Sequence, residues 1–473
     1  MSDDSKHHIC IIGAGLTGLV SACALASAGY QVTVLESTLH SGGMVTSFNW
    51  GKSRLEYIYH HIFTSDNLII RLIEKAGLSD QLKWFKTRDA LFAQQQIHPF
   101  TTPLDLLKFP LIPLGQRIRT GLAVLKAGRL DNWSELERQT ASNWLIRHGG
   151  EKAYTCIWDP LLRSKFDKDA EDVSAVWIWN KFKLRGSSRN QKAGSEKLGY
   201  LEGSFGLLID KLVHELIRMG GTLLTGHTVM NISRSEDVSV RYQISCILEN
   251  CTTVHVKADS IIATVAGRQF AGITTSLDMP EPYRNQIQNV SYKGDLCLIL
   301  RLKQKLSPYY WTTVCEQLPF VVVVEHTNLI DPDNYGGHIV YLSRYLDAAD
   351  PLWTQPDNVI YQQFMAGLET IYPHFSPRDV IDWRLRRTRY AQPVIHRQYA
   401  DRMPALDTPL PGIKLAGTAQ IYPEDRGMNY AVRLGLQAAR SVYRESQSRP
   451  ENPLEQSDIM LWLYQNLANT NDL

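Results

Sequence analysis

Ile9-Cys10-Ile11-Ile12-Gly13-Ala14-Gly15-Leu16-Thr17-Gly18 is the stretch on which the reading of this chain turns. From His8 to Ile12 the run is short, apolar and β-branched, and it passes directly into G-x-G-x-x-G, the mark of a strand turning into a helix. Small, helix-compatible residues continue from Leu16 to Ala28, Gly29 supplies a stop, and Gln31 to Leu35 reads as a second strand ending at Glu36. The spacing predicts a βαβ unit of about 30 residues. Gly13 permits the tight turn, Gly15 lets backbone N–H groups approach a pyrophosphate, and Gly18 lets helix and strand pack. The helix N-terminus formed by Ala14, Leu16 and Thr17 attracts phosphate charge. Glu36, followed by Ser37, is placed to accept from a ribose hydroxyl pair. Its carboxylate would repel a 2′-phosphate, so FAD or NAD is expected and NADP is not.

Composition sets the frame for that unit. The 473 residues predict two to four domains, and 21% charged against 44% hydrophobic residues describe ordinary globular protein. Fifty Lys plus Arg balance 48 Asp plus Glu, leaving +2, too little to drive nucleic-acid binding by counterion release. The cysteines at 10, 23, 156, 246, 251, 297 and 315 form no C-x-x-C pair, so neither a disulfide framework nor a metal site is indicated. Residues 9 to 35 carry no charge, but the glycines interrupt them and no basic segment precedes them, so an export signal is not the reading and the cytoplasm is expected.

Glu36 is followed by Ser41-Gly42-Gly43-Met44-Val45-Thr46. With these residues the sequence resembles the flavoprotein superfamily of amine oxidases, protoporphyrinogen oxidases, phytoene desaturases and UDP-galactopyranose mutases. Those proteins carry an acidic residue, a five-residue gap, then Gly-Gly and a hydroxyl residue three further on, as Glu36, Gly42, Gly43 and Thr46 do here. They most often have Arg where this chain has Met44. The resemblance implies FAD and extends to Gly412–Gly417 and to the loop and helix from Tyr422 to Tyr443. There it implies that Gly417, Arg426, Gly427, Met428 and Asn429 close the flavin end of the site, although Thr418 stands where an acidic residue is common. It also implies that Val229 presents its backbone to the adenine. The matched segments are roughly residues 7 to 65, 198 to 275 and 385 to 445.

The fold implied is α/β, a Rossmann-type FAD-binding domain interleaved with an α+β substrate domain of mixed sheet plus helical cap. The expected division is 1–90, 198–290 and 390–445 for the FAD domain, 91–197 and 291–389 for the substrate domain, and 446–473 for a C-terminal tail. The implied activity is oxidation or desaturation of a partly apolar small-molecule substrate by hydride transfer to FAD. A non-redox mutase and a flavin-free binding protein like the Rab GDP-dissociation inhibitors are the alternatives.

Catalytic residues are less legible, because in flavin chemistry the cofactor takes the hydride and the protein contributes position and electrostatics. His60 and His61 fall where the family chain passes the reactive flavin face and could orient substrate or move a proton. The competing reading is a pair of packed histidines on opposite sides of a strand. Where amine oxidases of the family often carry a strand lysine, Cys297 stands here, with Lys293 nearby. Residues 98 to 130 are apolar with a basic stretch from Gln116 to Arg129, predicting either a buried helical cap or a peripheral membrane contact; their prolines break any membrane span. Asn180 to Lys197 reads as a polar surface loop. Trp383 to Tyr390 alternates basic residues as an edge strand, which in the mutase alternative would bind a nucleotide diphosphate.

Overall fold

The computed structural model describes residues 7–189, 197–446 and 456–468, with side chains of 184–189 excepted. The predicted βαβ unit is present as strands His8–Ile12 and Gln31–Leu35 around helix Leu16–Ser27. The two strands lie within a five-stranded sheet in the order Thr222–Leu224, Gln31–Leu35, His8–Ile12, Ser260–Ala263, Ile413–Leu415, with every adjacent pair parallel. A parallel sheet covered on both faces demands nearly continuous apolar strands, which is how His8–Ile12 and Ser260–Ala263 are buried. A three-stranded antiparallel sheet, Thr228–Arg234, Tyr242–Ile247 and Thr253–Ala258, stands beside it.

Helix Leu16–Ser27 is buried at every position except Thr17. A helix apolar all round must be surrounded, and helices Gly206–Arg218, Met428–Glu445 and Asp458–Ala468 enclose it. Small residues bring the backbones together. A Cβ on Gly18 would fall 2.0 Å from the Gly13 carbonyl oxygen, and one on Gly435 would fall 2.6 Å from that of Thr17. The Ser21 hydroxyl donates to the Gly435 carbonyl at 2.8 Å, satisfying a polar atom inside this contact. Within 446–473, expected as a C-terminal tail, the described residues include a helix. Ile459, Met460, Leu463 and Leu467 recur at helical spacing, and their burial against the first helix makes Asp458–Ala468 part of the core.

The second half is built on a seven-stranded sheet ordered Val380–Pro393, Tyr292–Leu302, His338–Leu346, Val322–Glu325, Trp311–Val314, Asp89–Ala93, Gln96–Pro99. All pairs are antiparallel except Trp311–Val314 with Asp89–Ala93. Period-two alternation divides Tyr292–Leu302 between two cores. Leu296, Leu298 and Leu300 pack toward helix Asp357–Ile371, whereas Cys297 and Ile299 join the core shared with the parallel sheet. Helices Leu114–Arg129, Ala141–Gly149, Asp159–Phe166 and Ala175–Arg189 form the cap. The polar loop expected over 180–197 is a continuation of the last of these helices as far as residue 189, and 190–196 lie outside the described residues. Val176, Trp177, Ile178, Trp179 and Phe182 are buried, and that apolar stretch outweighs the charged and glycine-bearing composition that suggested a loop.

Gly435→Val would force a side chain into the Thr17 carbonyl and Val20. We expect a loss of stability of about 1–3 kcal/mol, read as a lower midpoint in thermal denaturation. Gly272→Ala, whose Cβ meets nothing within 4 Å, should leave the midpoint nearly unchanged.

Candidate functional site

A cavity of about 850 Å³ spans both halves. It reaches Glu36, His227 and Val229 beside the parallel sheet and Leu91, Phe100, Ile157 and Phe182 under the cap. At the sheet, two glycine turns meet backbone to backbone. Gly42 donates its N–H to the Ala14 carbonyl at 2.8 Å, and a Cβ on Gly43 would lie 3.1 Å from the Gly15 Cα. Gly13 holds φ +105°, and a Cβ there would strike the Thr264 hydroxyl oxygen at 2.5 Å, so glycine is required. Gly15 is different: a Cβ on it would meet only the Gly43 Cα, at 3.9 Å, and otherwise face the cavity. The helix that begins at Leu16 has no side-chain cap and no acidic residue in its first turn, which leaves its N–H groups for an anion.

Glu36 is nearly buried at the end of the second strand. One carboxylate oxygen accepts from the Ala14 N–H at 2.9 Å; the other accepts from the Thr38 N–H and hydroxyl, both at 2.9 Å, and from Ser37 at 3.3 Å. The first oxygen retains lone-pair capacity for a ribose hydroxyl. This cradle, open at Gly15, electropositive at the helix start and acidic at Glu36, fits a dinucleotide without a 2′-phosphate.

Of the residues expected to hold cofactor, Gly13, Gly15, Leu16, Thr17, Glu36, Ser37, Gly42, Gly43, Met44, Val229, Arg426, Gly427, Met428 and Asn429 line the cavity. Ala14, Gly18 and Gly417 do not. The Ala14 N–H is spent on Glu36, Gly18 packs on Gly13, and a Cβ on Gly417 would sit 2.6 Å from the Val265 carbonyl, with Thr418 taking the lining position. The Asn429 Oδ1 accepts from the N–H groups of Leu68 and Ile69 at the start of helix Asn67–Lys75.

His60 and His61 both line the cavity. The strand alternation that would have separated them is absent, because regular structure begins only at Ile62. His60 donates Nδ1–H to the Ile58 carbonyl at 2.7 Å, leaving Nε2 as an acceptor. Burial pushes its pKa down to about 4, opposed by the Ile58 carbonyl and assisted by Arg426, so the ring is neutral near pH 7. The His61 Nδ1 lies 3.1 Å from the Tyr310 hydroxyl. Cys297 and Lys293 do not line the cavity. Cys297 is fully buried, and Lys293 is ion-paired with Asp169 and Asp347. On that strand the cavity-facing residue is Asp295, whose carboxylate accepts from Ser343 at 2.5 Å and is pushed up to about 6 by burial.

The residues that sequence reasoning missed surround Asp425. Its Oδ1 accepts from Gln392 Nε2 and from the Arg426 N–H, each at 3.0 Å, while its Oδ2 faces Lys181 at 2.5 Å and Lys165 at 3.5 Å. Burial alone would raise this carboxyl, but Lys165, Lys181 and Arg426 outweigh it and hold the group well below the usual carboxylate range. Lys165 lies 4.8 Å from the Trp177 ring centroid, and burial pushes it down to about 7, with Asp425 opposing and Lys181 adding to the shift. Arg426 reaches Gln392 Oε1 at 2.7 Å and the Tyr345 hydroxyl at 3.0 Å. Trp158, Trp177 and Trp311 supply aromatic walls.

A glycine-turn cradle on a parallel sheet, continuous with a roofed apolar chamber, defines a two-part flavoprotein of the oxidoreductase class. The chain matches the flavin-containing amine oxidoreductase family over residues 16–443 and belongs to that family. The residues present fit the FAD that this membership brings. A Synechocystis zeta-carotene desaturase is 26% identical over 304 residues, 59% of this chain and 60% of that protein. A mitochondrial protoporphyrinogen oxidase of Nicotiana tabacum is 23% identical over 192 residues, 39% of this chain and 38% of that one. Each alignment spans less than two thirds of the relative. In structure, reduced UDP-galactopyranose mutase shares a TM-score of 0.70 at 14% identity, covering 98% of this chain and all of that one. Cyclohexylamine oxidase from Brevibacterium oxydans shares 0.68 at 16% identity, covering 93% and 99%. These likenesses establish the fold.

Gly15→Leu fills the open side of the cradle. The purified variant should lack the flavin absorption band of the wild-type chain while keeping its far-ultraviolet circular dichroism; a variant that retained full flavin would contradict the placement of the pyrophosphate.

Proposed function

We propose that this chain is an FAD-dependent oxidoreductase that oxidises or desaturates an apolar organic substrate bearing an acidic group. The observation that carries the reading is the continuity of the glycine cradle with an aromatic chamber whose charges converge on Asp425. Bound FAD supplies the hydride acceptor. Gly15, Leu16 and Thr17 would hold its phosphates, Glu36 its ribose, and the helix start at Gly427 and Met428 would stabilise negative charge on its ring. Trp158, Trp177, Trp311 and Leu161 grip the apolar body and exclude water. His60, neutral and with Nε2 unspent, orients a donor on the substrate. Asp295, with a carboxyl near 6, is suited to take a proton there.

The acidic group follows from the local charge. Lys165, Lys181 and Arg426 surround one firmly ionised carboxylate, Asp425, so an added ammonium meets three cations and an added carboxylate gains partners. The mutase alternative gains nothing here, since Arg384, Arg386, Arg387 and Arg389 all lie outside this chamber.

The first experiment is an absorption spectrum of the purified protein, then release and identification of the chromophore, followed by titration with apolar carboxylic acids and their amine analogues. Acids should perturb the flavin spectrum and amines should not. Acid affinity should fall as the pH rises through about 7, because Lys165 loses its charge there. Lys165→Met should weaken binding about tenfold and remove the fall near pH 7, leaving any change near pH 6 to Asp295. A colourless protein that takes up no FAD, or tighter binding of the amines, sinks the proposal.

The cap adds a peripheral membrane contact to this reading. Leu114 (58%), Ile118 (48%), Leu122 (59%) and Leu125 (60%) are exposed along one helix, beside Leu104 and Leu107. Lys108, Lys126 and Arg129 flank them, and no acidic residue occurs from 106 to 130. Beneath this face Phe109, Ile112 and Leu106 pack on Leu91 and Ile157, which line the chamber. The leucines and the chamber wall are therefore the outer and inner sides of one layer, suited to an anionic bilayer that supplies apolar substrate. Among the described residues no helix is long and apolar enough to cross a membrane. The protein should co-sediment with vesicles containing anionic lipid, and Leu122→Glu/Leu125→Glu should abolish this while leaving bound flavin unchanged. Wild-type protein that stays in the supernatant counts against the contact.

A further inference from the structure

The second glycine turn carries Met44 where the resemblance leads one to expect an arginine, so the turn itself brings no cation to the cofactor phosphates. A cleft of about 160 Å³ adjoins this turn, lined by Glu36, Gly43, Met44, Thr46, Tyr57 and, from the edge strand Val380–Pro393, Arg386. It shares Glu36, Gly43 and Met44 with the large cavity. Alternation along the strand puts Arg384 and Arg386 on one face, toward the hairpin Ser47–Trp50 and Ser53–Glu56. Arg384 lies over Phe48 at 5.2 Å and is exposed; Arg386 lies over Tyr57 at 5.2 Å and is half-buried.

The other arginines of this strand are engaged elsewhere. Arg387 donates to Asp357 at 2.6 Å and to the Gln355 carbonyl at 2.7 Å, and Arg389 lies over Trp353 at 4.9 Å. Of the four, Arg386 alone lines the cleft, and its guanidinium has no hydrogen-bond acceptor or carboxylate partner among the described residues. A half-buried guanidinium is always charged and is stabilised by an anion that accepts from its planar fork. The anionic groups that the adjoining cradle takes are phosphates.

We infer that Arg386 supplies from the second half of the molecule the phosphate-facing cation that position 44 lacks, binding the diphosphate of FAD across the Gly42–Gly43 turn. The inference rests on the FAD reading above. It assigns an edge-strand residue to cofactor binding and makes cofactor affinity depend on the docking of the seven-stranded sheet against the cradle. Tyr57 holds the guanidinium by stacking, which limits the entropy lost on binding.

The test is a titration of the full chain, freed of flavin, with FAD, followed by flavin fluorescence, alongside thermal melting of each apoprotein. Arg386→Leu should weaken FAD about tenfold or more with little change in apoprotein melting, and Arg386→Lys should lose less. Adding Met44→Arg to Arg386→Leu should restore most of the affinity, because it returns a cation to the same cleft from the other side. The salt dependence of FAD affinity should flatten in Arg386→Leu and return in the double variant. Wild-type affinity in Arg386→Leu overturns the inference while leaving the FAD reading intact. So does a loss that neither Met44→Arg nor Arg386→Lys recovers and that accompanies a lower apoprotein melting point, since that places Arg386 in the packing of Tyr57. A wild-type chain that takes up no FAD overturns both.

Discussion

Backbone-to-backbone contact around helix Leu16–Ser27 fixes the rest of this structure. Gly18 against Gly13 and Gly435 against Thr17 leave no room for an intervening side chain, so the strand, the first helix and helix Met428–Glu445 are set at one distance. The starts of both helices, Leu16 with Thr17 and Met428 with Gly427, consequently line the same cavity. Two positive helix ends converge there, each suited to face negative charge. A looser, side-chain-mediated packing would let the two ends move independently.

The parts of the site that can be read in the sequence are those whose demands are local. A glycine at Gly13 answers a φ that L-residues rarely adopt, and Gly15 answers an open approach, so G-x-G-x-x-G with Glu36 marks the cradle without reference to the fold. Strands such as Ser260–Ala263 are equally plain, because burial on both faces leaves only apolar residues. Lys165, Lys181, Asp295 and Tyr345 come from separate elements and are joined only by tertiary packing, so no spacing connects them. Residues 180–189 read as loop because glycine, serine and charge dominate their composition. The apolar run through Trp177, Ile178 and Phe182 is the signal in the sequence for the helix. Asn429 adds a contact that the sequence does not announce: it lines the cavity, and its side chain also caps a neighbouring helix.

Asp425 concentrates the electrostatics of the chamber. Helix Asp159–Phe166 brings Lys165, helix Ala175–Arg189 brings Lys181, and strand Val380–Pro393 brings Gln392. Burying several charges is costly, and the cost is offset only when each finds a partner. One carboxylate serves cap, sheet and the start of helix Met428–Glu445 together. The cap is thereby tied to the start of helix Met428–Glu445 by ionic contacts, while its outer leucines are exposed.

The enclosure of helix Leu16–Ser27 also bears on how the chain is made. Ser21 bonds Gly435 across 414 positions, and Gln456 reaches the Ser27 carbonyl across 429. During synthesis this helix therefore emerges long before the segments that cover it. At roughly 5–20 residues per second the delay is tens of seconds. Throughout that interval its unpaired apolar faces are open to other nascent chains, which makes it the natural target for a holding chaperone and the point at which aggregation competes with folding.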